Sequence, residues 1–293
     1  MLQQNFSPEE APLRVITAGL SDIGRVRERN EDAIAICEPS DQILSAQFGW
    51  LYLLADGAGG HGHAAGEVAS KLAVETIAAA YYSASTPAQL ATESTFQSGG
   101  KASHLDGQFA ALAVPSMQLQ QAFFAAHSRI REATRLRQEY ADMFCTCIAA
   151  VIKGNQLLIA HVGDSRAYLF RPSSASEPSF TCLTMDHSLV SLLVRAGIIS
   201  PEEKQSSSAR HKILRALGMH EQEKSYPDLM TCLVHPGDRL VLCCDGLWSK
   251  LPEQQMAIVV SSNTPSEACA ELIRLANEAG GEDNISAVVL SLM

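Results

Sequence analysis

The stretch TCIAAVIKGNQLLIAHVGDSR, residues 146–166, carries the clearest fold signal in the chain. It contains two short apolar runs, 146–152 and 156–162, separated only by Lys153, Gly154 and Asn155. Apolar runs of this length, bounded by glycine and polar residues, are typical of buried β-strands. A short connection that contains glycine predicts a β-hairpin. We therefore expect these two strands to pair antiparallel.

Further strands and helices are predicted on both sides of this hairpin. Similar short apolar runs predict strands at residues 14–18, 33–36, 49–55, 166–170, 180–183, 229–234, 239–244 and 285–290. Apolar residues at helical spacing predict helices at 66–82 and 116–140. A capping box of Thr264 and Glu267, with Pro265 between them, predicts the start of a last helix. Antiparallel strands in two groups, with long helices between them, predict an α+β fold of stacked sheets covered by helices.

The hairpin leads directly into Asp164, and three more aspartates have similar surroundings. Asp56 and Asp245 end apolar runs, and Asp283 precedes one. Carboxylates at strand ends lie at the rim of a sheet, where they can converge on one point. Crowded carboxylates repel one another unless they are protonated or neutralised by a cation, and an oxygen-only set suits Mg²⁺ or Mn²⁺. Each aspartate alone also fits an ordinary turn, but the four together favour a metal site.

Composition limits the class of protein. The 293 residues are 46% hydrophobic and 18% charged, as in a soluble globular protein. A net charge of −10 argues against nonspecific nucleic-acid binding, and no apolar run is long enough to span a bilayer. The eight cysteines form no C-x-x-C pair, which favours reduced thiols. Because the N-terminus has no signal or transit peptide, we expect a cytoplasmic protein. We also expect a monomer that binds neither nucleic acid nor membrane.

The chain shows no linker that would divide it. We expect one domain over residues 13–293, preceded by a disordered lead-in at residues 1–12. Residues 83–115 are rich in Ser, Thr, Ala, Gln and Gly without a sustained period, so we expect a surface insertion there. A polar run within about residues 195–215 predicts a mobile flap.

Seven segments with distinctive sequences occur in order along the chain. They are GRVRERNEDA (24–33), LLADGAGGHGHAAGEVAS (53–70), AHVGDSRAYL (160–169), LTMDHSLV (183–190), LVRAGIISPEE (193–203), PGDRLVLCCDGLW (236–248) and GGEDNISAVVL (280–290). Together they resemble the metal-dependent Ser/Thr protein phosphatases of the type 2C family, in their bacterial form. The resemblance implies that residues 13–293 are a catalytic domain, a four-layer α-β-β-α sandwich of two antiparallel sheets flanked by helices.

The resemblance also implies a centre of two Mn²⁺ or Mg²⁺ ions at one end of the sandwich. Carried over by motif, Asp56 bridges the two metals and the Gly57 carbonyl ligates one of them. Further residues of the site are Asp245 and Asp283 on one metal, Glu31 and Asp32 on the other through water, Asp164 at a third, weaker site, and Arg27 on the substrate phosphate.

Phosphate chemistry is consistent with these roles. A phosphate monoester dianion repels hydroxide, so its hydrolysis needs cations that cancel charge and produce a nucleophile at neutral pH. Arginine offers a planar fork that matches phosphate oxygens, and Arg27 lies three residues before Asn30. The function implied is hydrolysis of phosphoserine and phosphothreonine in protein substrates by a hydroxide that bridges the metals. Such an enzyme would reverse the action of a cognate Ser/Thr kinase.

Two positions depart from the family pattern. Ala58 stands where relatives outside bacteria often have a histidine that acts as general acid. His61 and His63, in a loop two residues longer than usual, are candidates for that role, but we favour a metal-bound water because glycines flank His61. Ser249 replaces an aspartate that supports a metal-bound water in many relatives, which predicts a lower metal affinity.

Two other histidines fit structural roles, and two other functions are disfavoured. His187 is interpreted as a structural hydrogen-bonder and His161 as a core histidine. A catalytically silent scaffold on the same fold is disfavoured, because the candidate metal ligands and Arg27 are all retained. A nuclease or nucleotide hydrolase with the same metal chemistry is disfavoured by the net negative charge and by the lack of the clustered Lys and Arg residues that would form a basic groove.

Overall fold

The computed structural model of the chain describes residues 13–59, 65–83, 107–173, 177–200, 202–203, 207, 209, 212–219 and 226–293. The strands in these ranges are β1 Val15–Asp22, β2 Asp32–Cys37, β3 Trp50–Ala58, β4 Phe144–Lys153, β5 Gln156–Val162, β6 Arg166–Arg171, β7 Ser179–Cys182, β8 Asp228–Leu233, β9 Arg239–Cys243 and β10 Ile285–Leu292. The α-helices are α1 Gln42–Phe48, α2 Ala65–Tyr82, α3 Ala113–Leu136, α4 Leu189–Arg195, α5 Asp245–Trp248, α6 Glu253–Ser262 and α7 Pro265–Glu278. Short 3₁₀ turns occupy Gly107–Leu112 and Gln138–Tyr140.

The strands form two five-stranded sheets, and every pairing within them is antiparallel. The first sheet has the order β1-β10-β9-β6-β7, and the second has the order β2-β3-β4-β5-β8. The predicted hairpin is present: β4 pairs with β5, and Lys153 lies opposite Gln156. Only Gly154 and Asn155 remain in the turn, and Gly154 has a positive φ of 58°.

Apolar side chains on alternate strand positions fill three layers. Along β3, Leu51 and Leu53 pack against α2 and α3, whereas Tyr52 and Leu54 face the first sheet. Strands buried on both faces in this way read as continuous apolar runs. The opposite face of the first sheet packs against α6 and α7. The predicted four-layer α-β-β-α sandwich is confirmed.

Several predicted boundaries differ from the observed ones. The predicted helix at 116–140 begins earlier, at Ala113, and ends at Leu136. The last residues of the expected 83–115 insertion are therefore helical, and 84–106 lie outside the described residues. The expected disordered lead-in at 1–12 and parts of the expected flap at 195–215 also lie outside them. The capping box is as predicted: Thr264 accepts a hydrogen bond from the Glu267 amide, and Glu267 bonds back to Thr264.

Helices α1 and α6 were missed by the sequence analysis. Helix α1 begins where the Asp41 side chain accepts hydrogen bonds from the amides of Ile43 and Leu44. Helix α6 follows Pro252 and buries Met256 and Val260 against the first sheet. Both are short, so tertiary packing rather than a long amphipathic stripe stabilises them.

Candidate metal centre

Two of the predicted ligands face each other across neighbouring strands. Asp32 begins β2 and lies opposite Asp56 of β3 in the antiparallel register. Because side chains alternate along a strand, Asp56 is on the same face as Tyr52 and Leu54, which points between the sheets. The sheets thus place both carboxylates in the space between them, at one end of the sandwich.

A third group from the other sheet approaches this pair. Cys244 follows β9, and one oxygen each of Asp32 and Asp56 and the Cys244 sulfur all lie within 4.8 Å of one another. The Cys244 sulfur accepts a hydrogen bond from the Ser286 amide at 3.1 Å. The Ser286 hydroxyl donates to Asp32 Oδ2 at 2.6 Å. The neighbouring ends of β9 and β10 in the first sheet therefore contact Asp32 of the second sheet directly.

Asp245 and Asp283 come from the same ends of β9 and β10. Asp245 is the first residue of α5, directly after Cys244, and Asp283 lies two residues before β10. An added Cβ at Gly246 would stand 2.0 Å from the carbonyl oxygen of Asn284 and 3.3 Å from the Asp283 Cβ. Only glycine allows this approach, so the Asp-Gly pair at 245–246 does more than form a turn.

Glu31 is held in a niche made by two glycines. The Gly57 amide donates to the Glu31 carbonyl at 3.1 Å. An added Cβ at Gly57 would stand 2.0 Å from the Gly66 carbonyl oxygen, and one at Gly66 would stand 2.5 Å from Glu31 Oε1. The Glu31 amide in turn donates to Asn284 Oδ1 at 2.8 Å. These contacts bring Glu31 and the Gly57 backbone into the same site as the aspartates.

Burial and mutual repulsion raise the pKa values of the aspartates. Burial raises the pKa of Asp56 well above its usual value, and the charges of Asp32 and Asp245 raise it further. Burial likewise raises the pKa of Asp32 to about 7 and that of Asp164 to about 7, with the charge of Asp245 adding to both. Carboxylates in this state bind protons tightly, and a divalent cation can replace those protons.

One oxygen of the site has no hydrogen-bond partner among the described residues. Asp32 Oδ2 is bonded to Ser286, but Asp32 Oδ1 is buried and has no hydrogen bond from any residue that the structure describes. A buried carboxylate oxygen without a donor is costly unless it binds a cation or a water. The oxygen-rich donor set and this free oxygen together fit a hard divalent cation such as Mn²⁺ or Mg²⁺.

Arg27 lies at the exposed side of the cluster. Its Nη2 atom is 2.8 Å from Asp283 Oδ2, and 47% of its side chain is exposed. Its charge also acts on Glu31, where it opposes the rise in pKa caused by burial. The guanidinium is therefore anchored at one nitrogen beside the carboxylates while much of it remains accessible.

Asp164 lies in a buried turn after β5. Its side chain is only 5% exposed, and its backbone carbonyl accepts a hydrogen bond from the Trp248 indole at 3.0 Å. The Arg166 guanidinium lies 3.6 Å from the centroid of the Trp248 ring and forms two 2.8 Å hydrogen bonds to Asp186. Since Trp248 ends α5 and Asp245 begins it, this contact joins the Asp164 turn to the Asp245 helix.

Comparison with known proteins identifies the family. The sequence profile described as Protein phosphatase 2C matches residues 24–287. The serine/threonine phosphatase stp of Listeria innocua serovar 6a is 32% identical over 271 residues, which cover 92% of this chain and 93% of the relative. This chain belongs to the protein phosphatase 2C family. The resemblance predicted from the seven sequence segments is confirmed.

Solved structures agree with this assignment. The crystal structure of the Mycobacterium tuberculosis serine/threonine phosphatase PstP/Ppp is 33% identical, with a TM-score of 0.70 over 96% of this chain and 99% of that one. The catalytic domain of PstP in complex with two manganese ions is 31% identical, with a TM-score of 0.71 and the same coverage. The protein phosphatase 2C fold therefore extends over nearly the whole chain.

The structure brings together the predicted site residues of this family member. They are Arg27, Glu31, Asp32, Asp56, Gly57, Asp164, Asp245 and Asp283. The two candidate loop histidines, His61 and His63, lie outside the described residues. No α-helix in the described ranges has the length and apolarity needed to cross a membrane.

Sequence reasoning missed several residues that support the site. Asn284 accepts the Glu31 amide and donates to the carbonyls of Ile23 and Arg29, so it ties the segment before β2 to the segment before β10. Ser286 and Cys244 were missed because each reads locally as part of an apolar strand. The one sequence signal that could have found Asn284 was its position directly after the predicted ligand Asp283.

Proposed function

We propose that this chain is a metal-dependent phosphoprotein phosphatase that hydrolyses phosphoserine and phosphothreonine. The observation that carries the proposal is the convergence of carboxylates from both sheets around a buried Asp32 oxygen without a partner among the described residues. The substrate class is supported by the names of the relatives, which are serine/threonine phosphatases.

The cations would be held by oxygen atoms from both sheets. We assign Asp56, Asp245 and Asp283 as direct ligands together with the Gly57 carbonyl, and Glu31 and Asp32 as residues that act through water. Asp164 is assigned to a third, weaker site. When bound, the cations would supply charge neutralisation of the phosphate and a water of lowered pKa for in-line attack on phosphorus.

Several of these residues act by holding geometry. Asp32 is oriented by Ser286, and Glu31 is fixed between Gly57 and Gly66. The Arg27 guanidinium, anchored by Asp283 at one nitrogen, offers its other donors to the substrate phosphate. Because Arg27 is half exposed at the edge of the cluster, a phosphorylated side chain of another protein can reach it.

We also propose a cellular role for this activity. A protein-serine/threonine phosphatase removes what a Ser/Thr kinase adds, so the chain would oppose a cognate kinase, acting as a monomer in the cytoplasm on phosphorylated proteins. The relatives' names support the phosphatase activity on which this role depends. Phosphoproteomics of a deletion strain would name the substrates, and sites that gain phosphate would narrow the choice of kinase.

Phosphate release from phosphoserine and phosphothreonine peptides tests the proposed activity. Metal-stripped protein should be inactive, Mn²⁺ or Mg²⁺ should restore turnover, and excess EDTA should abolish it. Asp56→Asn and Asp245→Asn each remove one charge at constant size, so each should abolish turnover and weaken Mn²⁺ binding in calorimetry. Glu253→Gln, an exposed substitution on α6, is the control.

Three outcomes would contradict the proposal. Full activity in excess EDTA would exclude a metal mechanism. Full turnover by Asp56→Asn with normal metal binding would refute the assignment of the ligands. Faster hydrolysis of oligonucleotides than of phosphopeptides would change the substrate class.

A further inference from the structure

His187 holds both polar groups of the residue before Asp164. Its Nδ1 accepts a hydrogen bond from the Gly163 amide at 3.0 Å, and its own amide donates to the Gly163 carbonyl at 2.9 Å. Gly163 has a φ of +109°, and an added Cβ would stand 2.4 Å from the Thr146 Cβ. The turn that presents Asp164 therefore has an unusual backbone conformation, and His187 bonds both polar groups of its glycine.

The other edge of the same ring faces Asp228, the first residue of β8, and Arg215. Nε2 of His187 is 3.2 Å from Asp228 Oδ2 and 2.9 Å from Arg215 Nη1, and Arg215 Nη1 donates to Asp228 Oδ1 at 2.8 Å. The His187 carbonyl accepts the Leu214 amide at 2.8 Å. His187 thus joins the Asp164 turn to the chain around Arg215.

The ring is fixed in orientation and in protonation state. It stacks on His161 with a centroid distance of 4.6 Å, and His161 Nε2 bonds to the Met185 carbonyl at 2.9 Å. Burial, and then the charge of Arg215, lower the pKa of His187 to about 4, so the ring is neutral at pH 7. Because Nδ1 accepts the Gly163 hydrogen, the neutral ring carries its proton on Nε2, which faces Asp228 Oδ2. Arg215 Nη1, 2.9 Å from the same nitrogen, then donates to Asp228 Oδ1 and not to the ring.

We propose that His187 is a positioning residue for Asp164: its Nδ1 fixes the Gly163 amide, and this fixes the turn that aims the Asp164 carboxylate at the third cation site. The inference rests on the proposed function only for the role of that site. Trp248 holds the carbonyl of Asp164 itself, so the turn is restrained from both sides. Loss of the His187 contact should loosen the turn and weaken the cation bound there, without disturbing Asp56 or Asp245.

Two amide substitutions separate the acceptor role from other roles of the ring. In His187→Asn the side-chain oxygen can occupy the place of Nδ1, so the Gly163 hydrogen bond is kept while the contacts of Nε2 are lost. In His187→Gln the amide lies one carbon farther out, near the place of Nε2, so the Gly163 contact is lost. His161→Phe keeps a ring stacked on His187 and is the matched control.

The first measurement is amide hydrogen exchange at Gly163 in metal-free protein. We expect exchange about fivefold faster or more in His187→Gln, the equivalent of one lost hydrogen bond, and within about threefold of wild type in His187→Asn and His161→Phe. The second measurement is Mn²⁺ calorimetry. The weakest binding event should weaken by about fivefold or more in His187→Gln, and the tighter events should be unchanged.

The comparison of variants decides the inference. Equal exchange at Gly163 in His187→Asn and His187→Gln would overturn it, whether both are fast or both are slow. His187→Phe is a third variant that keeps the ring without an acceptor, and it should behave like His187→Gln. If it does not fold, the two amide variants still decide.

Failure of the proposed function would look different. Wild-type protein that binds Mn²⁺ but releases no phosphate from phosphopeptides would refute the phosphatase proposal, while the exchange pattern at Gly163 would stand. Normal turnover by wild type, with normal exchange and normal weak metal binding in His187→Gln, would refute the positioning role alone. With an active enzyme we expect His187→Gln to lower kcat and to leave KM within about threefold, as a loss at the metal site should.

Discussion

The stability of the metal-free protein should fall as the pH rises, and Asp32→Asn should remove part of that fall. Burial raises the pKa of Asp32 from 3.8 to about 7. Between those two values the folded protein holds a proton that the unfolded chain has released. The unfolding free energy therefore decreases as pH rises through this window, because folding there requires proton uptake or a buried charge.

The size of the effect follows from the shift. One pH unit corresponds to about 1.36 kcal/mol, so a shift of about three units gives an upper bound of about 4 kcal/mol for Asp32. An experiment from pH 5 to pH 8 crosses this window only from pH 5 to about pH 7. The loss of unfolding free energy over that range is therefore at most about 3 kcal/mol. Asn is neutral at every pH, so the stability difference between Asp32→Asn and wild type should grow by roughly 1–3 kcal/mol over that range.

Urea unfolding of metal-stripped protein in EDTA measures this difference. Wild type, Asp32→Asn and the exposed control Glu253→Gln are compared at pH 5 and pH 8. The unfolding free energy of Asp32→Asn relative to wild type should be higher at pH 8 than at pH 5. That of Glu253→Gln relative to wild type should be the same at both pH values. Added Mn²⁺ at pH 8 should stabilise wild type more than Asp32→Asn, because the variant lacks the charge. If the difference in unfolding free energy between Asp32→Asn and wild type is the same at both pH values, ionisation of the buried Asp32 carboxylate does not cause the loss of stability.

Three further predictions concern substrate binding and turnover. Arg27→Lys keeps the charge and loses the fork, so phosphopeptide kinetics should show a raised KM while calorimetry shows the metals still bound; an unchanged KM would give Arg27 a structural role. Asp164→Ala should slow turnover and leave two metals bound, and three metals in a crystal of the variant would refute its placement. The His61→Ala/His63→Ala double variant should lose less than about tenfold in kcat on a phosphopeptide, and no more than that on p-nitrophenyl phosphate. A much larger loss on the peptide would make one of these histidines the general acid.

Much of the fold was predictable from local patterns. The hairpin of β4 and β5 was predicted because apolar runs and a glycine turn lie within a few residues of each other. The Thr264 capping box was predicted for the same reason. The helices α1 and α6 were missed, because their short sequences have weak periodicity and depend on packing against other elements.

The aspartates were found one by one, because each stands where an apolar run begins or ends. Their sequence positions alone could not say which of them are neighbours. The register of β2 against β3 places Asp32 opposite Asp56, and the stacking of the two sheets brings Cys244 and Ser286 to the same point. The contacts of Asp32 with Cys244 and Ser286 join residues more than 200 positions apart in the chain, and no local pattern encodes them.

His187 shows the same division. Its sequence context indicated a structural hydrogen bond but not the partner. The fold decides that its Nδ1 meets the Gly163 amide, 24 residues away, and that its other edge meets Asp228. The sequence alone therefore determined where the strands lie along the chain, because strand and turn signals are local, and it determined the chemical type of the site and its candidate ligands. The tertiary structure decided which side chains meet, because register and sheet stacking are set by packing across the whole chain.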